Sequence, residues 1–306
     1  MKNKIDKPYK KIAPPFGYFG SKNKIAIELC KHLPPHNCWV DAFCGSSAVT
    51  LAKPAAPIEI INDINGEIVN LFRQLRNNSK KLREQIELTP YAELELLNAR
   101  NNNGEEIDDL EKARQFLVKS MMAINGSFGN SKGGFSYSDS YSRNSKEARV
   151  NRWNNLPERL NKVVDRLKNI RIEQKDAKKI IQRFENRPAT LIYLDPPYLG
   201  DRVNGYENEG NDYNFHLDLL NVITKSNSMI FLSGYKNELY NDLLTENNGW
   251  KIKEIDTTTQ GANGISKKRT EVVWMNKHFV EALKSNQVPI VLDGKEKQNN
   301  KLNPKR

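Results

Sequence analysis

The chain has 306 residues, enough for one substantial α/β domain plus a smaller insert. Its 48 Lys and Arg against 37 Asp and Glu give a net charge of +11, which favours a polyanionic partner, nucleic acid first. No run approaches ~18 apolar residues and no apolar segment follows the basic N-terminus, so neither membrane insertion nor secretion is expected.

In chain order, residues 39–43 read as a buried strand running into the turn Cys44-Gly45-Ser46-Ser47, with a helix starting at Ala48. Residues 58–63 read as a second strand. Ile68, Leu71, Phe72 and Leu75 then fall at helical spacing over 67–76, and Asn65 is a candidate cap. Successive strand–helix units imply a parallel sheet. Residues 80–124 read as helical, and 125–145, rich in Gly, Ser, Asn and Tyr, as loops or a hairpin. Regular structure resumes with a helix over 153–168, a strand over 170–173 and a helix over 177–184. Strand 191–194, helix 217–225, strand 229–233 and a closing strand pair at 250–256 and 271–276 complete the pattern. The Asn- and Lys-rich end reads as a disordered tail.

Charge is concentrated in three places. Residues 1–24 carry seven Lys against one Asp, 119–154 six basic against two acidic groups, and 281–306 six against three. The middle run is interleaved with aromatics, as nucleic-acid surfaces are. Cys30, Cys38 and Cys44 are an odd number without C-x-x-C spacing, which argues against a disulfide framework and a zinc site. A reducing cytosol fits, and no metal is expected.

The tetrapeptide Asp195-Pro196-Pro197-Tyr198 directly follows the apolar run 191–194. A carboxylate and a backbone carbonyl there could each accept one hydrogen of an exocyclic amino group, exposing a lone pair that is otherwise delocalised into the base. The prolines fix the backbone, and Tyr198 offers a flat face to an extruded base. Asp and Pro are also favoured turn residues, so the tetrapeptide alone reads as a strand followed by a turn as well.

Gly45 lies in a strand-to-helix turn of the kind that brings backbone close to a ligand, and Asp63 ends the second strand, where an acid can accept ribose hydroxyls or a charged amino group. Each alone also suits a purely structural turn. The G-x-G-x-x-G pattern is absent, which disfavours a pyrophosphate-bearing cofactor. Upstream, the stretch 16–22 combines glycines, aromatics and Lys22 ahead of a helix.

Together these stretches resemble the Dam-like DNA adenine-N6 methyltransferases of the alpha group, over most of residues 14–277. Gly17-Tyr18-Phe19-Gly20-Ser21-Lys22 resembles the family's first cofactor motif, Phe43-Cys44-Gly45-Ser46-Ser47 its F-x-G-x-G, and Asn62-Asp63-Ile64-Asn65 its acidic motif. Asp176 aligns with the acid near the cofactor adenine, Ser233 with a later strand motif, and Arg269-Thr270-Glu271 with the closing motif. One departure is Ser47, which stands where the family has a second glycine; a hydroxyl is tolerable there if φ stays negative.

The resemblance implies a Rossmann-like, mostly parallel α/β methyltransferase domain (12–75 and 155–280), a largely helical target-recognition insert (76–154) and a basic tail (281–306). It implies S-adenosylmethionine (SAM) as cofactor, held by Tyr18, Lys22, Asp41, Phe43, Gly45, Asp63, Asp176 and Asp195, with Asp195, Pro196, Pro197 and Tyr198 catalytic. Double-stranded DNA is the implied substrate, contacted by Asn125, Ser127, Phe128, Lys132, Phe135, Tyr137, Arg143 and Arg149. Trp153 is expected to anchor the next helix in the core. A cognate restriction endonuclease, a cytoplasmic setting in a bacterial or phage-infected cell, and a monomer or weak dimer complete the expectation.

Three other readings remain. An RNA adenine methyltransferase is the nearest, followed by a catalytically silent DNA-binding relative and, last, a nicotinamide oxidoreductase. Cytosine-C5 chemistry needs a thiolate, normally on a Cys after Pro, and none of the three cysteines follows proline.

Overall fold

A computed structural model describes residues 11–18, 20–101, 106–124, 126, 133–138, 145–199, 213–260 and 266–290, with 257–260 and 266–269 described by backbone alone. Its strands are β1 (Cys38–Asp41), β2 (Ile58–Asn62), β3 (Ile170–Glu173), β4 (Thr190–Leu194), β5 (Met229–Gly234), β6 (Lys251–Gln260) and β7 (Ser266–Met275). They form one seven-stranded sheet in the order β3-β2-β1-β4-β5-β7-β6. Strands β1 to β5 run parallel, and β7 is antiparallel to both β5 and β6.

Every residue of β1, β4 and β5 is buried, as expected of central parallel strands covered on both faces. The period-two alternation sorts their side chains. Val40, Ile60, Ile192 and Ile230 pack with α9 (Ala177–Phe184), α10 (Tyr213–Ile223) and α11 (Glu238–Leu243). Trp39, Leu191, Tyr193 and Phe231 pack on the other side with α1 (Ala26–Cys30), α2 (Ala48–Ala52) and α12 (Lys277–Ser285).

A third cluster holds α3 (Gly66–Asn77), α4 (Ser79–Leu88), α5 (Glu93–Arg100), α6 (Asp109–Met122), α7 (Ala148–Asn154) and α8 (Leu156–Leu167) against Ile61 and Ile170. The stretch expected as helical over 80–124 is thus three helices sharing a core with α3 and α8. The four apolar positions that predicted α3 are all fully buried, and the Asn65 side chain accepts from the amides of Glu67 and Ile68. Trp153 is buried and donates its indole N–H to the Thr89 carbonyl at 2.8 Å.

Several boundaries differ from expectation. The helix predicted over 153–168 is two helices meeting at Asn155, where Pro157 occupies the first turn of α8 and suits a helix start. Helix α10 begins at Tyr213, four residues before the expected 217, and the closing strands are ten residues each. Helix α12, not expected, runs through Ser285 into the stretch read as a tail and buries Phe279 and Ala282 in the core.

The strand order places the reversal of winding between β1 and β4. Chain progress runs outward from β1 to β2 and β3, then returns to β4 on the other side of β1. Ligands in open α/β sheets bind in the crevice beyond the carboxyl ends of such a pair. Because Asp41 is in register with Tyr193, the turn at 42–47 and the tetrapeptide at 195–198 leave the sheet side by side.

Candidate active site

The turn after β1 is tight. Ser47 N–H donates to the Cys44 carbonyl at 2.6 Å, and Gly45 and Ser47 have φ of 47° and 58°. The condition on which a side chain was tolerable at Ser47, a negative φ, is not met: this serine occupies the left-handed region where glycine is normal. Its side chain is buried, does not line the cavity described below, and its Oγ has no hydrogen-bond partner among the described residues. Gly45 has a steric reason as well, since a Cβ there would stand 3.2 Å from the Tyr18 ring.

Asp63 ties this turn to the next one. One carboxylate oxygen accepts from Gly45 N–H at 2.9 Å and the other from Asn65 N–H at 2.9 Å. Burial still raises its pKa above the ordinary value. Asp41 is more isolated: Thr50 donates its hydroxyl to Oδ2 at 2.6 Å, but Oδ1 is buried without a partner among the described residues. Burial pushes the Asp41 carboxyl up to about 7, against the Thr50 hydrogen bond.

These groups surround a cavity of about 740 Å³ at the switch point. All eight residues expected to hold the cofactor line it, together with Pro197 of the tetrapeptide. Ser46, whose hydroxyl is 2.8 Å from that of Ser21, and Phe215 and Asp218 of α10 also line it and were not foreseen. Asp176 accepts from Lys178 N–H at 2.7 Å as the cap of α9. Cys44 reaches the cavity too, but burial, with Asp63 and Asp41 nearby, keeps its thiol well above the ordinary value and so unsuited to act as a thiolate.

At the β4 end of the cavity one oxygen of Asp195 meets two donors, Lys22 and Ser233, and the more distant hydroxyl of Tyr198. Lys22 Nζ stands 2.6 Å from Oδ1, Ser233 Oγ 3.2 Å and Tyr198 OH 3.5 Å. No described residue donates to Oδ2. Lys22 also contacts the Tyr198 hydroxyl, lies 4.8 Å from the centre of the Tyr198 ring, and is 3.5 Å from Glu271 Oε1. Tyr198 donates to that same Glu271 oxygen at 2.9 Å, and its ring lies 4.3 Å from that of Tyr235. Burial opposes the charge on Lys22, but Asp195 and Glu271 outweigh it and hold the ammonium's pKa above its ordinary value. Burial raises the Asp195 carboxyl despite Lys22. Lys22 therefore lines the cavity while directing its charge at the tetrapeptide, an arrangement local sequence does not reveal.

Of the expected DNA contacts, Asn125, Ser127, Phe128, Lys132 and Arg143 lie outside the described residues. Phe135 is half-buried against Tyr91, their rings 5.1 Å apart, and bridges to Ala123 at the end of α6. Tyr137 is 74% exposed, and Arg149 is exposed on α7.

A sheet of this order, with a cavity at its switch point and an Asp-Pro-Pro-Tyr loop on the rim, is a Rossmann-like methyltransferase fold. The family of D12 class N6 adenine-specific DNA methyltransferases matches residues 18–272, and the chain belongs to it. It is accordingly an adenine-specific DNA methyltransferase. Among its relatives, the Type II methyltransferase M1.LlaDCHI of Lactococcus lactis subsp. cremoris is 26% identical over 293 residues, covering 90% of this chain and 98% of the relative. The retron Ec67 DNA adenine methylase of Escherichia coli is 26% identical over 274 residues, covering 83% and 88%. No helix among the described residues is long and apolar enough to cross a membrane.

Proposed function

We propose that the protein transfers the methyl group of SAM to the N6 amino group of an adenine flipped out of double-stranded DNA, at a specific recognition site. The observation that carries this reading is the placement of Asp195 on the wall of the cavity that Asp41, Gly45 and Asp63 also line. When bound, SAM supplies an electrophilic methyl group on a cationic sulfonium.

The residues present suit such a ligand. The buried Asp41 Oδ1 without a partner asks for a donor, and an ammonium would satisfy it. Tyr18, Phe43 and Phe215 offer apolar faces for an adenine ring, and Asp63 and Asp176 acceptors for polar edges. Gly45 presents backbone without a side chain to the cavity.

For the target base, Asp195 Oδ2 accepts one N6 hydrogen and the Pro196 carbonyl the other, drawing the nitrogen toward a tetrahedral geometry. Oδ2 suits this role because the donors among the described residues are collected on Oδ1. It is also the first acceptor for the proton that the methylated nitrogen sheds. The Tyr198 ring, held at its hydroxyl by Glu271 and backed by Tyr235, gives the base a face to stack on. Extrusion costs a few kcal/mol. Phosphate and base contacts from the basic stretch 119–154 offset that cost. The name of the Type II relative supports a restriction-modification setting.

The test is to incubate the protein with unmethylated duplex DNA and methyl-labelled SAM and to identify the product nucleoside. N6-methyladenine is expected; label in cytosine alone, or in RNA but not DNA, would overturn the reading. Asp195→Ala should lower transfer by about 100-fold or more while DNA binding persists. Equal loss of binding would make the tetrapeptide a structural element.

A further inference from the structure

We propose that Glu271 is a positioning residue for methyl transfer: ionised, it draws Lys22 and the Tyr198 hydroxyl toward itself and so keeps them from overloading Asp195. This rests on the role proposed for Asp195. The geometry is a competition between two carboxylates for two donors. Lys22 Nζ is 2.6 Å from Asp195 and 3.5 Å from Glu271, and Tyr198 OH is 2.9 Å from Glu271 and 3.5 Å from Asp195. Glu271 is 3% exposed, on β7 between the exposed Thr270 and the core residues Val272 and Val273. A carboxylate there serves no solubility or surface purpose, and its side chain is turned to these two donors.

If Glu271 is neutral, Lys22 has one anionic partner left and settles on Asp195, and the Tyr198 proton turns to the same oxygen. Both moves withdraw electron density from the carboxylate that must polarise N6, and both shift the ring on which the base stacks. Among the described residues the groups facing Glu271 are Lys22 from the N-terminal segment, Tyr193 from β4, and Asp195 and Tyr198 beyond it; Tyr235 beyond β5 faces Lys22 and the Tyr198 ring, and the β6 neighbour of Glu271, Ile255, is apolar. Burial raises the Glu271 carboxyl to about 7, opposed by Lys22 and reinforced by Asp195, so its ionisation falls near neutrality.

The experiment is single-turnover methylation by the full chain at saturating SAM and DNA, between about pH 6 and pH 9, with binding of both ligands measured separately. Saturation removes any effect of Asp41, which acts through cofactor affinity. The wild-type rate should rise with pH through an inflection near that of Glu271, by up to about tenfold per unit on the acid side. Glu271→Gln, which mimics the neutral acid, should be flat through that range, at about a tenth of the wild-type rate or less above the inflection, with binding unchanged. Glu271→Asp should recover part of the limb. A wild-type limb retained in Glu271→Gln would overturn the proposal.

A second variant keeps the test decisive should Glu271→Gln fail to fold. Tyr198→Phe removes a hydrogen bond that favours the ionised form, so the inflection should move to higher pH; an unmoved inflection would also overturn the proposal. If Asp195→Ala abolishes transfer while Glu271→Gln keeps the wild-type limb, only the role of Glu271 falls. If Asp195→Ala retains transfer, the underlying assignment falls first.

Discussion

Asp41→Asn isolates one buried charge. The Asp41 carboxyl rises from 3.8 to about 7 because it is buried and, among the described residues, has one hydroxyl donor on Oδ2 and no partner on Oδ1. At 1.36 kcal/mol per pKa unit, a difference of about three units corresponds to roughly 4 kcal/mol. The sign follows from proton binding. The native state keeps this proton after the unfolded chain has lost it, so the carboxyl's contribution is fully present below about pH 4 and is lost as pH rises to about 7. Above that range wild-type Asp41 costs the fold up to about 4 kcal/mol, which asparagine, still able to accept from Thr50, removes. Urea unfolding of both proteins at about pH 5 and pH 8 should show the variant gaining stability relative to wild type at the higher pH. A ligand ammonium beside Oδ1 would draw the carboxyl's pKa back down, so SAM binding by the wild type near neutrality should release a proton, seen by calorimetry in buffers of different ionisation enthalpy. Asp41→Asn should release none and bind more weakly. A stability difference between the two proteins that is the same at both pH values would refute the reasoning.

Ser47→Gly should raise stability by about 1 kcal/mol, measured as a higher denaturation midpoint at unchanged slope, by relieving the positive φ and removing a buried hydroxyl without a partner. Its cofactor affinity should hold, because Ser47 does not line the cavity; a lowered midpoint would mean that the hydroxyl stabilises the turn. Replacing Lys132 and Arg143 together by alanine should weaken DNA binding and flatten the slope of log affinity against log salt by about 0.9 for each phosphate that is no longer neutralised. An unchanged slope would put the DNA surface elsewhere.

What could be read from the sequence was whatever local chemistry fixes. The central strands announce themselves as unbroken apolar runs because both faces are covered, and α3 is legible from four apolar positions and the Asn65 cap. The cavity wall was also readable, since its residues cluster in short turns after strands. Three things were not. Pro157 begins a helix here, and neither the break before it nor the one after Leu88 interrupts the apolar spacing enough to show. The positive φ of Ser47 is imposed by the closing turn and not by the residue's preference. Glu271 was visible only as part of a motif, because its partners lie far away in the chain and no periodicity encodes such a meeting.

Lys22 and Glu271 come from near opposite ends of the described chain, yet meet the tetrapeptide at separations of 173 residues from Lys22 to Asp195 and 73 from Tyr198 to Glu271. Contacts of that span are among the last to form, since they wait on the closure of every intervening loop. A nascent or partly unfolded molecule could build the turn around Gly45 long before the cluster at Asp195 exists. The cluster at Asp195, and methylating competence with it, should therefore mature only once the strand that carries Glu271 has joined the sheet.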